Sequence, residues 1–187
     1  MRRLWLLMAL LIVGLAAAQP VVAQGGGPPP RVPITEDTYF QLKIPALALD
    51  IPVFEAWMNR RTWEFRVLTE EAGHLQYTAY PGMRGNVVIG GHYELADFTP
   101  GPFYELDQLK RGDTIEIVYL GQTYRYQVVA TALVSPRDLR VIQPTPYEAL
   151  TLLTCYDYSP QAETYTQRYV VRAVRFGATP APPASGN

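Results

Sequence analysis

The sequence is poor in the residues that usually build disulfides and metal sites. Its 187 residues include a single cysteine, Cys155, and two histidines, His74 and His92. One cysteine excludes a disulfide framework within the chain, and these three residues at their spacings do not form a zinc site. Basic residues are not in excess either, since 16 face 17 acidic ones and the net charge is -1. This balance argues against a nucleic-acid-binding surface.

The composition indicates a globular, strand-rich protein. Apolar residues make up 48% and charged residues 18% of the chain, and its 13 tyrosines favour strands. We expect an all-β fold, a closed or nearly closed barrel with one or two short helices. A helix is predicted over 103–110, where Phe103, Leu106 and Leu109 share one side. The strand-like segments are 39–44, 51–54, 86–91, 113–120, 123–133, 149–155 and 169–176.

The two ends of the chain differ from this middle part. Residues 1–23 combine two arginines, an apolar run and a small-residue cleavage pattern, which fits a signal peptide or an N-terminal membrane anchor. Residues 24–35 form a Gly/Pro-rich linker, and residues 177–187 a disordered tail. The folded domain is therefore predicted at 36–176, outside the cytoplasmic membrane.

Non-strand segments within the domain carry fewer signals. Three prolines in 135–147 predict a long loop over one rim of the barrel. Gly121-Gln122 suggests a tight turn, and the Arg111-Gly112-Asp113 triplet is better explained as a turn than as an adhesion motif. His74 falls in a turn-like stretch, where we expect a structural or peripheral role.

Three residues that could support covalent chemistry follow or open apolar strands. His92 ends one strand and Cys155 ends another, so parallel, adjacent strands would bring them to the same rim. Arg168 opens the next strand after a loop predicted at 156–167, and an antiparallel return would bring it back. A thiolate is a nucleophile, an imidazole transfers protons, and a guanidinium binds carbonyls or an oxyanion.

Each of these residues also has a structural interpretation. Cys155 fits a buried thiol, His92 a turn residue and Arg168 a surface strand residue. Taken singly, none of them identifies a catalytic site.

Three segments in order resemble the sortase family. Residues 151–155 (TLLTC) match the family's TLxTC signature, residues 85–92 (GNVVIGGH) its GN-apolar-GH segment, and residues 168–173 (RYVVRA) its arginine strand. The opening segments 44–47 and 50–53 are similar as well. The resemblance covers about residues 40–175.

The resemblance implies an eight-stranded β-barrel and a cysteine transpeptidase. Cys155 would attack the Thr carbonyl of an LPxTG-like C-terminal sorting signal and form a thioacyl-enzyme. His92 would act as general acid and then base, and Arg168 would bind substrate and stabilise the oxyanion. Thr154 is expected to contact the substrate or orient Arg168. The acceptor amine would belong to a cell-wall precursor or a pilin lysine, and the clients would be surface proteins with sorting signals.

Within the family, the chain is most similar to the class D, E and F group. This similarity favours a housekeeping-type role, in which the enzyme attaches proteins to the cell surface. No cofactor is predicted; calcium, which some family members bind through acidic loops, stays open because no ligands can be assigned. One alternative is an L,D-transpeptidase, although that group needs a tight His-Gly-Cys-like cluster. The other is a non-catalytic or degenerate exported β-barrel binding module.

Overall fold

The computed structural model describes residues 40–59, 62–65 and 70–176. The predicted N-terminal segment 1–23, the linker 24–35 and the tail 177–187 lie outside the described residues. Within the described part of the chain, no helix has the length and apolar character required to cross a membrane.

Eight strands close into a barrel, as predicted. The strands are β1 Phe40–Ile44, β2 Leu49–Ala56, β3 Met58–Asn59, β4 Thr62–Trp63, β5 Ala72–Leu75, β6 Gly85–Gly90, β7 Thr114–Tyr119, β8 Gln122–Val134, β9 Glu148–Ser159 and β10 Thr164–Arg175. The barrel strands run in the order β1-β2-β5-β6-β9-β10-β8-β7, and β1 pairs with β7 to close the barrel. Two very short strands, β3 and β4, form a separate hairpin.

The alternating sequence of β7 shows how the barrel acquires its core. Ile115, Ile117 and Tyr119 are buried, while the residues between them face outward. The connection to β8 is a two-residue turn at Leu120-Gly121, one position earlier than predicted. Both turn residues have positive φ (49° and 73°), which suits a tight hairpin.

Two predicted loops are strands in the structure. His74 lies in β5, a strand of four residues that the sequence does not indicate. Two of the four are Gly73 and His74, and glycine is uncommon in strands. The predicted loop 156–167 is also wrong, since β9 continues to Ser159 and β10 begins at Thr164. The β9–β10 hairpin therefore extends past Cys155 as paired strands. Its tyrosines and threonines favour strand structure.

The helix predicted over 103–110 is wrong as well. That segment consists of turns and a single 3-10 turn at Leu106–Gln108. Phe103, Leu106 and Leu109 are all buried, and their spacing of three matches the three residues per turn of a 3-10 helix. A spacing of three residues is shorter than the 3.6-residue period of an α-helix, which is why the apolar pattern predicts the wrong element here.

Candidate active site

The rim where the pairing of β6 with β9 ends brings two of the predicted site residues together. The strands are parallel neighbours, with Gly90 opposite Leu153 as the last pair. The Gly91 amide then donates to the Leu153 carbonyl at 3.2 Å, and the Thr154 hydroxyl donates to the Gly91 carbonyl at 2.9 Å. The conditional prediction that parallel strands carry His92 and Cys155 to one rim is confirmed.

Arg168 reaches the same rim through the antiparallel β9–β10 pair. It lies directly opposite Cys155 in the register of the two strands. Its Nη1 donates to the carbonyl of Gln167 at 3.0 Å. Arg168 is half-buried, and its positive charge acts on the Cys155 thiol.

A groove of about 400 Å³ opens beside these side chains. His92, Cys155 and Arg168 all line it, and so does Thr154. Its other walls come from the β3–β4 hairpin and the 135–147 loop, which covers one rim as predicted. The apolar lining residues include Trp63, Phe65, Leu75, Pro136, Leu139, Val141, Ile142, Leu153 and Val170. Such a groove suits an extended peptide with apolar side chains.

Burial and charge act in opposite directions on the nucleophile candidate. Burial raises the pKa of the Cys155 thiol above its ordinary value, and the positive charge of Arg168 lowers it in part. Burial is the larger effect, so the thiol form dominates in the free protein at neutral pH.

His92 is held by the backbone of the hairpin segment. Its Nε2 lies 3.1 Å from the Phe65 carbonyl oxygen, an arrangement in which Nε2–H must donate. This hydrogen bond leaves Nδ1 as the ring's basic nitrogen. The Phe65 ring also meets the His92 ring edge-on, with centroids 6.4 Å apart.

Three other residues of the matched motifs support the groove without lining it. Thr151 donates its hydroxyl to Asn86 Oδ1 at 2.7 Å, inside the protein. Asn86 Nδ2 and Arg172 Nη2 each donate to the Val141 carbonyl at 3.0 Å. Polar side chains of β6, β9 and β10 thus hold the 135–147 loop in place through hydrogen bonds to the Val141 carbonyl. This loop forms one wall of the groove.

Two glycines allow the chain to approach His92 closely. A Cβ on Gly101 would lie 2.4 Å from the His92 carbonyl oxygen, and one on Gly91 would lie 2.7 Å from the Phe103 ring. The Gly101 neighbour is backbone, which cannot move away as a side chain can. The segment after His92 therefore folds back against its own start, where Phe103 N also donates to the His92 carbonyl at 3.0 Å.

His74 lies away from the groove. It is 2% exposed, packs against Phe40 and Tyr80, and has its Nε2 within 2.9 Å of the Ala79 carbonyl. Burial lowers its pKa to about 4, so it is neutral near pH 7. Its position agrees with the structural role expected for it.

Thr154 is almost fully buried, and its hydroxyl bonds the strand that precedes His92. Its predicted contact with substrate, like the catalytic roles of the other three residues, stays a prediction. Within residues 40–59, 62–65 and 70–176, no three His, Cys, Asp or Glu side chains cluster in a way that could hold a metal ion.

The contribution of the segment around β4 and Phe65 to the site could not be predicted from the sequence. Phe65 acts on His92 through a carbonyl group, and backbone groups leave no residue-type signature. Gly101 was missed because its importance comes from a contact with a residue nine positions earlier. The Gly101-Pro102 pair did mark a turn, which was the one available signal.

Comparison with known proteins agrees with this architecture. Residues 42–176 match the Sortase domain family. A curated relative, Sortase D of Bacillus subtilis (strain 168), is 25% identical over 135 residues, which is 72% of this chain and 62% of the relative. The match therefore spans less than two thirds of that relative's length.

Solved structures show the same likeness. A sortase D5 from Clostridium perfringens, described as a transpeptidase, has a TM-score of 0.61 and 27% identity, covering 75% of this chain and 80% of its own. Sortase C from Streptococcus pneumoniae, described in terms of pilin substrate specificity, has a TM-score of 0.63 and 27% identity over 79% of this chain and 74% of its own. The similarity to relatives of class D is consistent with the class resemblance of the sequence. Because the family match covers most of the barrel and all three motif segments, the chain belongs to the sortase family.

Proposed function

We propose that this protein is a cysteine transpeptidase that cleaves a C-terminal sorting signal of the LPxTG kind after Thr. It transfers the new acyl group to an amine of a cell-wall precursor or of a pilin lysine. Transfer to water instead of an amine would make it an endopeptidase. One observation carries the proposal: Cys155, His92 and Arg168 line a single apolar groove.

In the first step the Cys155 thiolate attacks the carbonyl carbon of the signal's Thr. The tetrahedral oxyanion that forms is stabilised by Arg168, a fixed cationic donor beside the thiol. The intermediate collapses as the C–N bond breaks, and His92, protonated at this stage, gives its proton to the leaving amine. A thioester on Cys155 remains.

In the second step the acceptor amine attacks that thioester. His92, now neutral, accepts a proton from the attacking nitrogen, and the C–S bond breaks to restore the thiolate. The thiolate and the imidazolium are then both back in the form needed for the next cycle. Because burial raises the pKa of Cys155, this charged pair is a minor form of the free protein, and we expect slow, pH-dependent turnover.

The groove's shape supports a peptide substrate. Its apolar walls suit the Leu-Pro part of such a signal, and Cys155 lines the same groove. Sorting-signal clients, an attachment role at the cell envelope and an N-terminal segment that tethers the enzyme to the membrane all belong to this proposal.

The test is to incubate the purified full-length chain with peptides containing LPxTG, LAxTG or LPxTA, with and without an added amine. Mass spectrometry should detect cleavage after Thr and an amine adduct, both absent in Cys155→Ala. Cleavage with water alone would indicate a hydrolase. A folded wild type that is inert on every peptide, with a thiol no more reactive than free cysteine, would favour the non-catalytic binding module.

A further inference from the structure

A tyrosine directly follows each of the three proposed catalytic residues. The pairs are His92-Tyr93, Cys155-Tyr156 and Arg168-Tyr169. Successive side chains of a strand point to opposite faces, so β9 and β10 turn their tyrosines away from the face that carries Cys155 and Arg168. The residues lining the groove include all three proposed catalytic residues and none of these tyrosines.

On that reverse face Tyr156 contacts both of the other two tyrosines. The rings of Tyr93 and Tyr156 meet nearly edge to face, with centroids 5.7 Å apart and an interplanar angle of 73°. The rings of Tyr156 and Tyr169 are 5.6 Å apart and tilted by 43°. Tyr156 opposes Gln167 in the strand register, so its contact with Tyr169 is a diagonal one across the hairpin. We call Tyr93, Tyr156 and Tyr169 the tyrosine cluster.

A carboxylate residue joins the cluster to the segment that begins at His92. The Tyr156 hydroxyl donates to Asp107 Oδ2 at 3.1 Å, and the Tyr169 hydroxyl donates to the Asp107 carbonyl at 3.4 Å. Asp107 belongs to the 3-10 turn in the connection between β6 and β7. The connection that carries His92 is thereby attached to the hairpin that carries Cys155 and Arg168.

Backbone pairing alone does not fix His92 relative to Cys155. The paired residues of β6 and β9 end at Gly90 and Leu153, and the last backbone bond between the strands comes from the Gly91 amide. His92 lies beyond that bond. The Thr154 hydroxyl bonds the Gly91 carbonyl, and the contact between Tyr93 and Tyr156 is the next link between the two segments, one residue past His92 and one past Cys155.

We propose that the tyrosine cluster is a positioning device that sets the spacing of His92, Cys155 and Arg168 from the reverse face of the site. Its members touch no substrate. Tyr156 is the central member because it contacts both other rings and Asp107. The proposal rests on the proposed function, since spacing matters most where three groups act on one carbonyl; small displacements of such groups reduce rates strongly.

The test compares Tyr156→Leu, Tyr156→Phe and Tyr158→Leu in the full-length protein. Leucine removes the ring and hydroxyl, whereas phenylalanine keeps the ring and loses the bond to Asp107. Tyr158 is the matched control: it is the next tyrosine on the same face of β9, it is 42% exposed, and its ring contacts Tyr165.

Two measurements need no substrate: the rate of Cys155 alkylation by iodoacetamide against pH, and the NMR titration of the His92 imidazole. His74 is the only other histidine in the sequence, so the imidazole signal that remains in His74→Gln is that of His92. The third measurement is kcat and KM with a cleaved peptide. Thermal unfolding is recorded for every variant.

For Tyr156→Leu we expect kcat to fall between about tenfold and a hundredfold with little change in KM, together with altered alkylation and His92 titration curves. Tyr156→Phe should be intermediate and Tyr158→Leu should match wild type. If Tyr156→Leu does not fold, Tyr93→Leu, which lies outside the strands, decides the matter by the same readouts.

A folded Tyr156→Leu with wild-type kcat and wild-type titration curves overturns the proposal, as does an equal loss in Tyr158→Leu. Failure of the proposed function has a different signature. In that case wild type cleaves no peptide, while Tyr156→Leu still changes the alkylation and titration curves, and the positioning role stands without the transpeptidase.

Discussion

Arg168 faces Cys155 directly across the β9–β10 pair, and its charge opposes the effect of burial on the thiol. Nearby positive charge favours a thiolate, while a desolvated site favours the neutral thiol. The two residues therefore form one electrostatic unit in which the arginine makes the nucleophile available at a lower pH than burial alone would allow.

Removing that charge should shift thiol reactivity to higher pH. In Arg168→Gln the pKa of Cys155 rises further, so the midpoint of the alkylation profile moves up and the rate at neutral pH falls. Arg168→Lys should recover part of the shift, because it keeps a charge but not the planar fork. The measurement is the iodoacetamide rate between pH 6 and pH 10, and an unchanged midpoint in Arg168→Gln would contradict the electrostatic unit.

Adding a methyl group at Gly101 should disturb His92. The new Cβ would lie 2.4 Å from the His92 carbonyl oxygen, so the backbone of one segment must shift. We expect Gly101→Ala to destabilise the fold by about 1–3 kcal/mol and to reduce peptide cleavage. Gly121→Ala is a partial control, because nothing lies within 4 Å of its added Cβ, although the φ of Gly121 is 73° and an alanine there is strained for that reason alone. Equal effects of the two changes on cleavage would show that His92 is not the affected group.

Replacing Thr151 by valine should loosen the wall of the groove. The hydroxyl that donates to Asn86 disappears, and the buried amide oxygen loses that donor, at a cost of about 1–3 kcal/mol. Because Asn86 also holds the 135–147 loop, KM for a sorting peptide should rise more than kcat falls. Urea unfolding and steady-state kinetics test this, with Thr151→Ser as the variant that keeps the hydroxyl. A wild-type KM in a folded Thr151→Val would show that Thr151 does not influence the position of the 135–147 loop.

His74 should make the fold sensitive to mild acid. Its pKa is about 4 in the folded protein and about 6.5 when unfolded, so between these values the unfolded chain binds the extra proton. The contribution is fully present above about pH 6.5 and is lost as pH falls toward about 4. We expect stability to drop by about 2 kcal/mol between pH 7 and pH 5 from this residue.

The matching experiment is urea unfolding at both pH values for wild type and His74→Gln. The variant loses stability overall, but its drop between the two pH values should be smaller by that amount. An identical drop in both proteins would mean that another group carries the acid sensitivity.

Much of the fold could be predicted because short-range sequence patterns indicated the strands. The alternation in β7 and the apolar runs before His92 and Cys155 gave strands of the right type, since a half-buried or buried strand needs those residues. The predictions failed where the period was ambiguous or the chemistry unusual. The apolar spacing of three in 103–110 predicts an α-helix where the chain forms a 3-10 turn, and β5 contains a glycine and a histidine, which do not indicate a strand.

The sequence by itself identified His92, Cys155 and Arg168 as candidate site residues, through their types, their order and the motifs around them. It also predicted a strand-rich, barrel-like fold. Only the tertiary structure decided which strands are neighbours, that Phe65 holds His92 through its carbonyl, and that three tyrosines meet behind the groove. The physical reason is that these relationships join residues far apart in the chain, through backbone atoms and ring contacts that no local pattern encodes.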